Sequence, residues 1–378
     1  PMKFFDMTTG DHWTNYKFDD SNKVIDLMMK SDICSVFVCS SIFRLQDLKT
    51  LRFDTNLVNG EDIYFIHQVL KYSNAQIGAV SSAHYGYRRR SSGEPSAIQN
   101  AQNDPRVYLD YLENVLERIC IESTQENGTI PKYVQHNVMG QLQWKFRVED
   151  KGIQAKKILG DEEFLKYKNK AIDLLKYIDD DVILAQKKLY NEHKYFLLKK
   201  KYAEMNVSPI LEVENQELWM SIGGNRIDTP IGRCYIRLEF MEIDNSMLTI
   251  EGYSMAFEPD IVFGISVNNV DQEFEVLKRD INKYTMDEIN FYAIPFKFTL
   301  DLETVIQQYF ISFYSEYQGK RTTKKVFRYT KTMPLAQSYS KSYYYKEGWS
   351  VRYENGGFVV RKIGFSDQAI RSEEHTSE

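Results

Sequence analysis

The chain has 378 residues, 43% hydrophobic and 14% aromatic, which is enough for two or three buried cores and too apolar for intrinsic disorder. Its 48 basic and 53 acidic residues give a formal charge of −5, which excludes the bulk positive field of a nucleic-acid binder. No run approaches the roughly 20 apolar residues needed to cross a bilayer.

The first hundred residues mix helix and strand periods, as an α/β segment does. They open at Pro1-Met2-Lys3-Phe4-Phe5, in what reads as the middle of a domain, so an N-terminal truncation is expected. Val24, Ile25, Leu27, Met28 and Met29 predict a helix capped by Asp20 or Ser21, and the β-branched and aromatic run 35–42 predicts a strand. A short helix is expected over 46–50. After the Asn59-Gly60 turn signal, Ile63, Phe65, Ile66, Val69 and Leu70 form one apolar face, predicting a helix over 61–72 with acidic residues at its start. Residues 76–80 and 84–90 read as short strands, and 90–96 as a polar loop. Cys34, Cys39, Cys120 and Cys234 fit neither a zinc cluster nor a disulfide framework and read as small buried thiols in a reducing compartment.

From about residue 104 to 204, long helices take over. Asp161-Glu162-Glu163 opens one with negative charge at its positive pole, and Phe164, Leu165, Ala171, Ile172, Leu174, Leu175 and Ile178 supply its buried stripe. A second is expected over 182–201, where Lys199-Lys200-Lys201 reads as a solvated end that complements the helix dipole, with a membrane or phosphate contact as the alternative. Beyond Ser208-Pro209 the period switches to two. Strands are expected at 218–222, 234–241, 247–256, 261–267, 274–278, 291–298 and 310–314, spaced as in an antiparallel sandwich. Its aromatic residues, among them Trp219, Tyr235, Phe240, Tyr253, Phe257 and Phe263, are read mainly as core, with stacking on sugar rings as the alternative. Further strands are expected at 338–346, 349–353 and 358–362, with Asn355-Gly356-Gly357 as a hairpin turn. The polar run 371–378 is read as an artefactual tail and left out of the fold.

The chemically informative stretch is Phe53-Asp54-Thr55-Asn56-Leu57-Val58-Asn59-Gly60-Glu61-Asp62, followed by Tyr85-Gly86-Tyr87-Arg88 and Ser91-Ser92. Adjacent carboxylates at a helix start repel each other, and the helix dipole offsets only part of that cost. Glycosyl transfer supplies a reason for the pair. Displacing a nucleotide diphosphate from an anomeric carbon needs a base on the opposite face to take the acceptor hydroxyl proton. An aspartate at a helix N-terminus, fed by a flexible Asn-Gly turn, can stand near that hydroxyl and stay ionised at pH 7. Its neighbour diverges by about 100° and is free to fix the acceptor or brace the loop.

In order and spacing, Phe43-Arg44, Phe53-x-x-x-Leu57, Glu61-Asp62, Tyr85-Gly86-Tyr87-Arg88 and Ser91-Ser92 resemble the C-terminal half of family 2 glycosyltransferases of the GT-A fold. The resemblance covers about residues 18–100. It implies that Asp62 is the catalytic base of an inverting displacement, with Glu61 as its partner. It also implies a divalent cation, Mg or Mn, on the diphosphate, whose main ligands belong to a nucleotide-binding half preceding residue 1; His84 stands where some relatives complete the metal's coordination, against the favoured reading of an ordinary strand-end histidine. Asp19-Asp20 and Asp179-Asp180-Asp181 are acidic runs in the wrong places for that metal. Tyr87, Arg88, Arg90 and Ser92 are expected to bind substrate. Alternation directs Arg88 and Arg90 to one face, where guanidinium groups neutralise a diphosphate or an anionic acceptor; a charge-protected edge strand is the other reading. His12, His67, His136 and His193 read as structural.

The segment Ser342-Tyr343-Tyr344-Tyr345-Lys346 with Trp349 to Tyr353 is also similar to β segments that join modules in bacterial capsule and teichoic-acid enzymes. The expected organisation is therefore a partial GT-A α/β domain (1–103), a helical region (104–207), an antiparallel β-sandwich (208–335) and a hairpin segment (336–370) leading to a downstream module. The expected partners are a nucleotide-sugar donor and a glycan or polyol-phosphate acceptor, with no nucleic acid. The expected location is the cytoplasm; association with the inner face of the cell membrane as a peripheral protein, and homo-oligomerisation, are left open. Two alternatives stand beside the transferase: a glycan-binding or assembly module, and a piece of a glycerophosphotransferase-type enzyme.

Overall fold

A computed structural model describes residues 1–6, 9–18, 21–33, 35–44, 48, 50–89, 103–147, 149–215, 217–226, 236–302, 306–324, 326–329 and 343–363. The chain divides into two compact units, Pro1–Asn206 with Thr285–Asp287, and Val207–Tyr284 with Glu288–Glu378. The expected helix over 46–50, the polar loop 90–96, Arg90, Ser92, Asp19-Asp20, Cys34, Cys234, Tyr235 and the tail 371–378 fall mostly or wholly outside the described residues.

In the first unit, β1 (Met2–Asp6) lies between β2 (Gly10–Asp11), to which it is antiparallel, and the later strand Tyr85–Arg89, to which it is parallel. The apolar run at 24–29 is not a helix. Lys23–Asp26 is strand β3, antiparallel to β4 (Gln76–Ala79), with Ile25 buried and Val24 exposed as strand alternation requires. The chain then turns: the Asp26 carboxylate accepts from Met28 N at 2.8 Å, and Met28 and Met29 point to solvent. Residues 35–42 are irregular rather than a strand. Instead of a neighbouring strand, Ser35 N finds the Asn137 side chain at 3.0 Å, and a turn closes from Ser41 N to Val38 O.

The expected helix at 61–72 forms over Glu61–Tyr72 (α1), with Tyr64, Phe65, Ile66, His67 and Leu70 buried. Strand β5 is Tyr85–Arg89. A helical turn at Leu109–Tyr111 passes through a π-helical stretch, Leu112–Glu117, into α2 (Arg118–Asn127), which ends on left-handed Gly128. Helices α3 (Lys132–Arg147) and α4 (Glu149–Asp173) follow, α4 being broken at Gly160, where φ is 75° and ψ 174°. The second half of α4 thus begins at Asp161, and Phe164, Ala171, Leu174, Leu175 and Ile178 are buried as expected, whereas Leu165 is exposed.

The single helix expected over 182–201 is two, α5 (Asp180–Leu184) and α6 (Asn191–Ala203). Between them the Gln186 amide donates back to Val182 O at 2.9 Å, and Leu189 turns inward to a buried site. Nor is the terminal lysine of α6 solvated. Lys201 Nζ donates to Ile178 O at 2.5 Å and pairs with Asp180 at 2.6 Å, tying α6 to the start of α5. Asp179 and Asp181 are both paired with Lys132, at 2.7 and 2.5 Å, so this acidic run serves as a helix junction.

The second unit begins with a small antiparallel sheet of β6 (Ile210–Glu214), β7 (Glu217–Ile222) and β8 (Asn225–Arg226). Two larger sheets follow. The first runs β13 (Glu275–Val276), β15 (Glu288–Asp301), β10 (Met247–Ala256), β9 (Ile236–Asp244) and β18 (Val326–Tyr329), with β14 (Lys283–Thr285) also on β15. The second runs β12 (Val270–Gln272), β11 (Val262–Val267), β16 (Gln308–Tyr317), β21 (Gly357–Lys362), β20 (Trp349–Glu354) and β19 (Tyr343–Lys346), with β17 (Lys320–Lys324) also on β16. Along the two strand orders the pairing is antiparallel except between β18 and β9, which are parallel. Alternate residues of both sheets share one core: Phe296 of β15 lies 5.0 Å from Phe263 of β11 and 6.0 Å from Phe313 of β16, ring to ring.

The hairpin expected as a separate segment over 336–370 belongs, over its described residues, to this second sheet. Strand β21 pairs with β16, and Trp349, Val351, Phe358 and Val360 enter the shared core. Asn355 and Gly356, with φ of 52° and 81°, make the two-residue turn between Glu354 and Gly357. Phe257 and Phe263 are core, Tyr253 is buried, and Trp219 is capped by the Arg226 guanidinium at 3.8 Å; Phe240 is exposed. No helix among the described residues is long and apolar enough to cross a membrane.

Candidate active site

Helix α1 starts from a residue only glycine can supply. Gly60 is left-handed, with φ of 84°, and a Cβ there would stand 2.6 Å from the Tyr111 ring and 3.1 Å from Val115. The Asn-Gly turn is therefore no flexible feed, because Gly60 lets the first turn of α1 press against the helical segment from Tyr111 to Val115. Behind that turn, Phe65 is held by two aromatic residues of the motif. Phe53 stacks on it at 4.3 Å, and Phe43 meets it edge-on at 5.6 Å.

Glu61 and Asp62 are both half-buried in this turn. Burial, and then the negative charge of Glu61, push the Asp62 carboxyl up to about 6, against the pull of the 2.8 Å hydrogen bond that Ile63 N donates to Oδ1. At pH 7 a group of that pKa is roughly 90% ionised. It is thus an available proton acceptor and a stronger one than an ordinary aspartate.

Cys39 is the neighbour that sequence reasoning misplaced. It is exposed, not buried, and its thiol shares a hydrogen bond with the Tyr85 phenol at the start of β5. Packing around the sulfur pushes the thiol up, the Tyr85 bond opposes this, and the Asp62 charge raises it further. The Tyr85 phenol and the Asp62 charge thus both act on the Cys39 thiol. Cys120, the other described cysteine, is buried as expected, and burial pushes it up to about 12.

The other expected residues are placed differently. Tyr87 packs edge-on against Phe4 at 5.6 Å, where β5 pairs with β1. Arg88 is engaged with the Asp6 carboxylate at 2.9 Å. His84 is exposed, and no three His, Cys, Asp or Glu side chains among the described residues gather closely enough to hold a metal ion. His12, His67 and His193 are buried. His12 Nδ1 meets Thr14 Oγ1 at 2.8 Å, and burial pushes His67 down to about 4.

A charged clasp between the motif and α2 was not foreseen. Arg118 Nη1 donates to Asp54 at 2.8 Å and Nε to Glu122 at 2.9 Å, while its guanidinium lies 4.0 Å over the Tyr64 ring. Glu122 also accepts from the Tyr64 hydroxyl at 2.9 Å and from Gln68 at 2.9 Å. Asp54 is held below its ordinary value first by Arg118 and then by the Asn56 amide. Burial and the bond to Glu122 push the Tyr64 phenol up to about 12. Pairs so distant in sequence leave no local periodic signal.

No protein-family model matches the chain, and no solved structure does. The chain is similar to the minor teichoic acid biosynthesis protein GgaB of Bacillus subtilis (strain 168), with 24% identity over 374 residues. The match takes in 98% of this chain and 41% of that protein, so the chain spans well under half of its relative's length.

Proposed function

We propose that this chain carries the acceptor-activating part of an inverting glycosyltransferase, of family 2 and GT-A type, acting in the synthesis of a teichoic-acid-type or related cell-surface polymer. The donor is a nucleotide-sugar and the acceptor a glycan or polyol-phosphate hydroxyl. The observation that carries the reading is Asp62, lifted to about 6 in the first turn of α1, in a chain similar over nearly its whole length to a teichoic acid biosynthesis protein.

In the proposed step, the Asp62 carboxylate accepts the hydroxyl proton while the acceptor oxygen bonds to the anomeric carbon. The bond from that carbon to the nucleotide diphosphate breaks on the opposite face, and its electrons leave with the diphosphate, inverting the centre. Burial, and after it the charge of Glu61, keeps Asp62 basic. The test is Asp62→Asn in the full protein, assayed for sugar transfer with UDP-sugars and an isolated wall polymer. A fall of about 10³-fold is expected; transfer at the unmodified rate would remove Asp62 from the role.

A further inference from the structure

We propose that Arg118 is a positioning residue for Asp62, acting through Asp54 and Tyr64 to fix the first turn of α1 where its carboxylate meets the acceptor. This rests on the reading of Asp62 as the base.

The geometry brackets the acidic pair from both sides. Upstream, Arg118 Nη1 holds Asp54 at 2.8 Å, and the same Asp54 carboxylate orders the loop by accepting from Asn56 N at 3.0 Å. Downstream, the guanidinium plane covers Tyr64, two residues after Asp62, at 4.0 Å. Between these points, Tyr111 and Val115 of the preceding helical segment close on Gly60. Glu122, one turn beyond Arg118, takes the Tyr64 hydroxyl and the Gln68 amide, so the clasp is fastened to α1 itself. One side of one helical segment thus touches residues 54, 60, 64 and 68. Glu61 and Asp62 lie inside that span.

The residue type suits the task. A guanidinium sends donors to two carboxylates in different directions while stacking its face on a ring, which an ammonium cannot do. The Arg118 side chain is 39% exposed, so its ion pairs contribute little to stability. A misplacement of the reacting group by about 1 Å, in contrast, costs on the order of 10²-fold in rate. A large kinetic effect with a small thermal one is the signature of positioning.

The test uses the full protein with Arg118→Gln, Arg118→Lys and the milder Asp54→Asn. Two readouts are taken: turnover of UDP-glucose, UDP-N-acetylglucosamine and UDP-N-acetylgalactosamine, and the rate of Cys39 alkylation by iodoacetamide at pH 7.5, mapped by mass spectrometry. The Asp62 charge adds to the burial that raises the Cys39 thiol, so alkylation is a readout separate from turnover. All three variants are expected to speed alkylation by about threefold, toward the rate in Asp62→Asn. Adding Arg118→Gln to Asp62→Asn should give no further gain. For a consumed donor, kcat should fall about 10- to 100-fold with KM within about twofold, and Arg118→Lys should not rescue it. Unchanged alkylation in folded variants overturns the proposal, whether or not turnover falls, as does further acceleration in the double variant. Faster alkylation with unchanged kcat leaves the clasp standing and removes Asp62 as the base.

Discussion

The first turn of α1 and the core of the β-sandwich use burial to opposite ends. In the sandwich, Phe296, Phe298, Phe313 and Phe358 are almost wholly buried among other apolar side chains, and each contributes on the order of 2 to 3 kcal/mol by leaving water. At α1, burial falls on a carboxylate that has a second carboxylate beside it. There it opposes stability and confers basicity. Under the proposed function, the contrast sets folding free energy against reactivity, and it can be tested by removing one side chain at a time.

The largest expected effect is on rate. Asp62→Asn should abolish about 10³-fold of transfer activity in the full protein, and the acidic limb of kcat/KM should show an inflection near pH 6 while the residue is present. Next, Phe296→Ala should destabilise the second unit by about 3 to 5 kcal/mol through cavity formation. Denaturant titration should give the same loss at pH 5 and pH 8, because no titratable group is involved.

The same Asp62→Asn change should act on stability in the opposite direction. The folded carboxyl sits at about 6 against a reference of 3.8, so the folded chain binds the proton more tightly than the unfolded chain does. Stability from that proton is fully present below pH 3.8 and is lost as pH rises through 6. Above pH 6 the ionised Asp62 costs on the order of 2 to 3 kcal/mol. Asp62→Asn should therefore raise Tm at pH 8 and leave it nearly unchanged at pH 4; equal shifts at both values would refute the desolvated-base reading. Gly60→Ala, which drives a methyl into the Tyr111 ring from a left-handed backbone, should cost about 1 to 3 kcal/mol and lower activity as well. The smallest effect belongs to Gly356→Ala in the hairpin turn, about 1 kcal/mol by thermal denaturation with no effect on transfer.

These two regions were also unequally legible. Met247–Ala256 and Glu61–Tyr72 form over the residues the patterns mark, because alternation in one and an Asn-Gly start with a 3.6-residue face in the other leave little choice. Val24 to Met29 misled because a short apolar run fits either period, and only the pairing of β3 with Gln76–Ala79 decides it. Residues 35–42 carry strand composition without a strand partner. The break between α5 and α6 has no Gly or Pro to announce it and depends on the side chain of Gln186. The place of Glu61 and Asp62 in the first turn of α1 was readable, whereas the surroundings of Cys39 and Arg118 were not. Their meaning comes from Tyr85 and Asp54, which only the folded chain brings near.

The order of strands in the second large sheet bears on how the protein is made. Strand β16 ends at Tyr317, yet its lasting neighbour β21 begins only at Gly357. During synthesis, therefore, the backbone groups at residues 308–311 of β16 wait with their hydrogen-bonding edge open while some forty further residues emerge. That is the interval in which such an edge recruits another nascent chain. Shortening the polypeptide anywhere ahead of Gly357 makes the interval permanent, and the expected result is insoluble protein rather than a smaller soluble one.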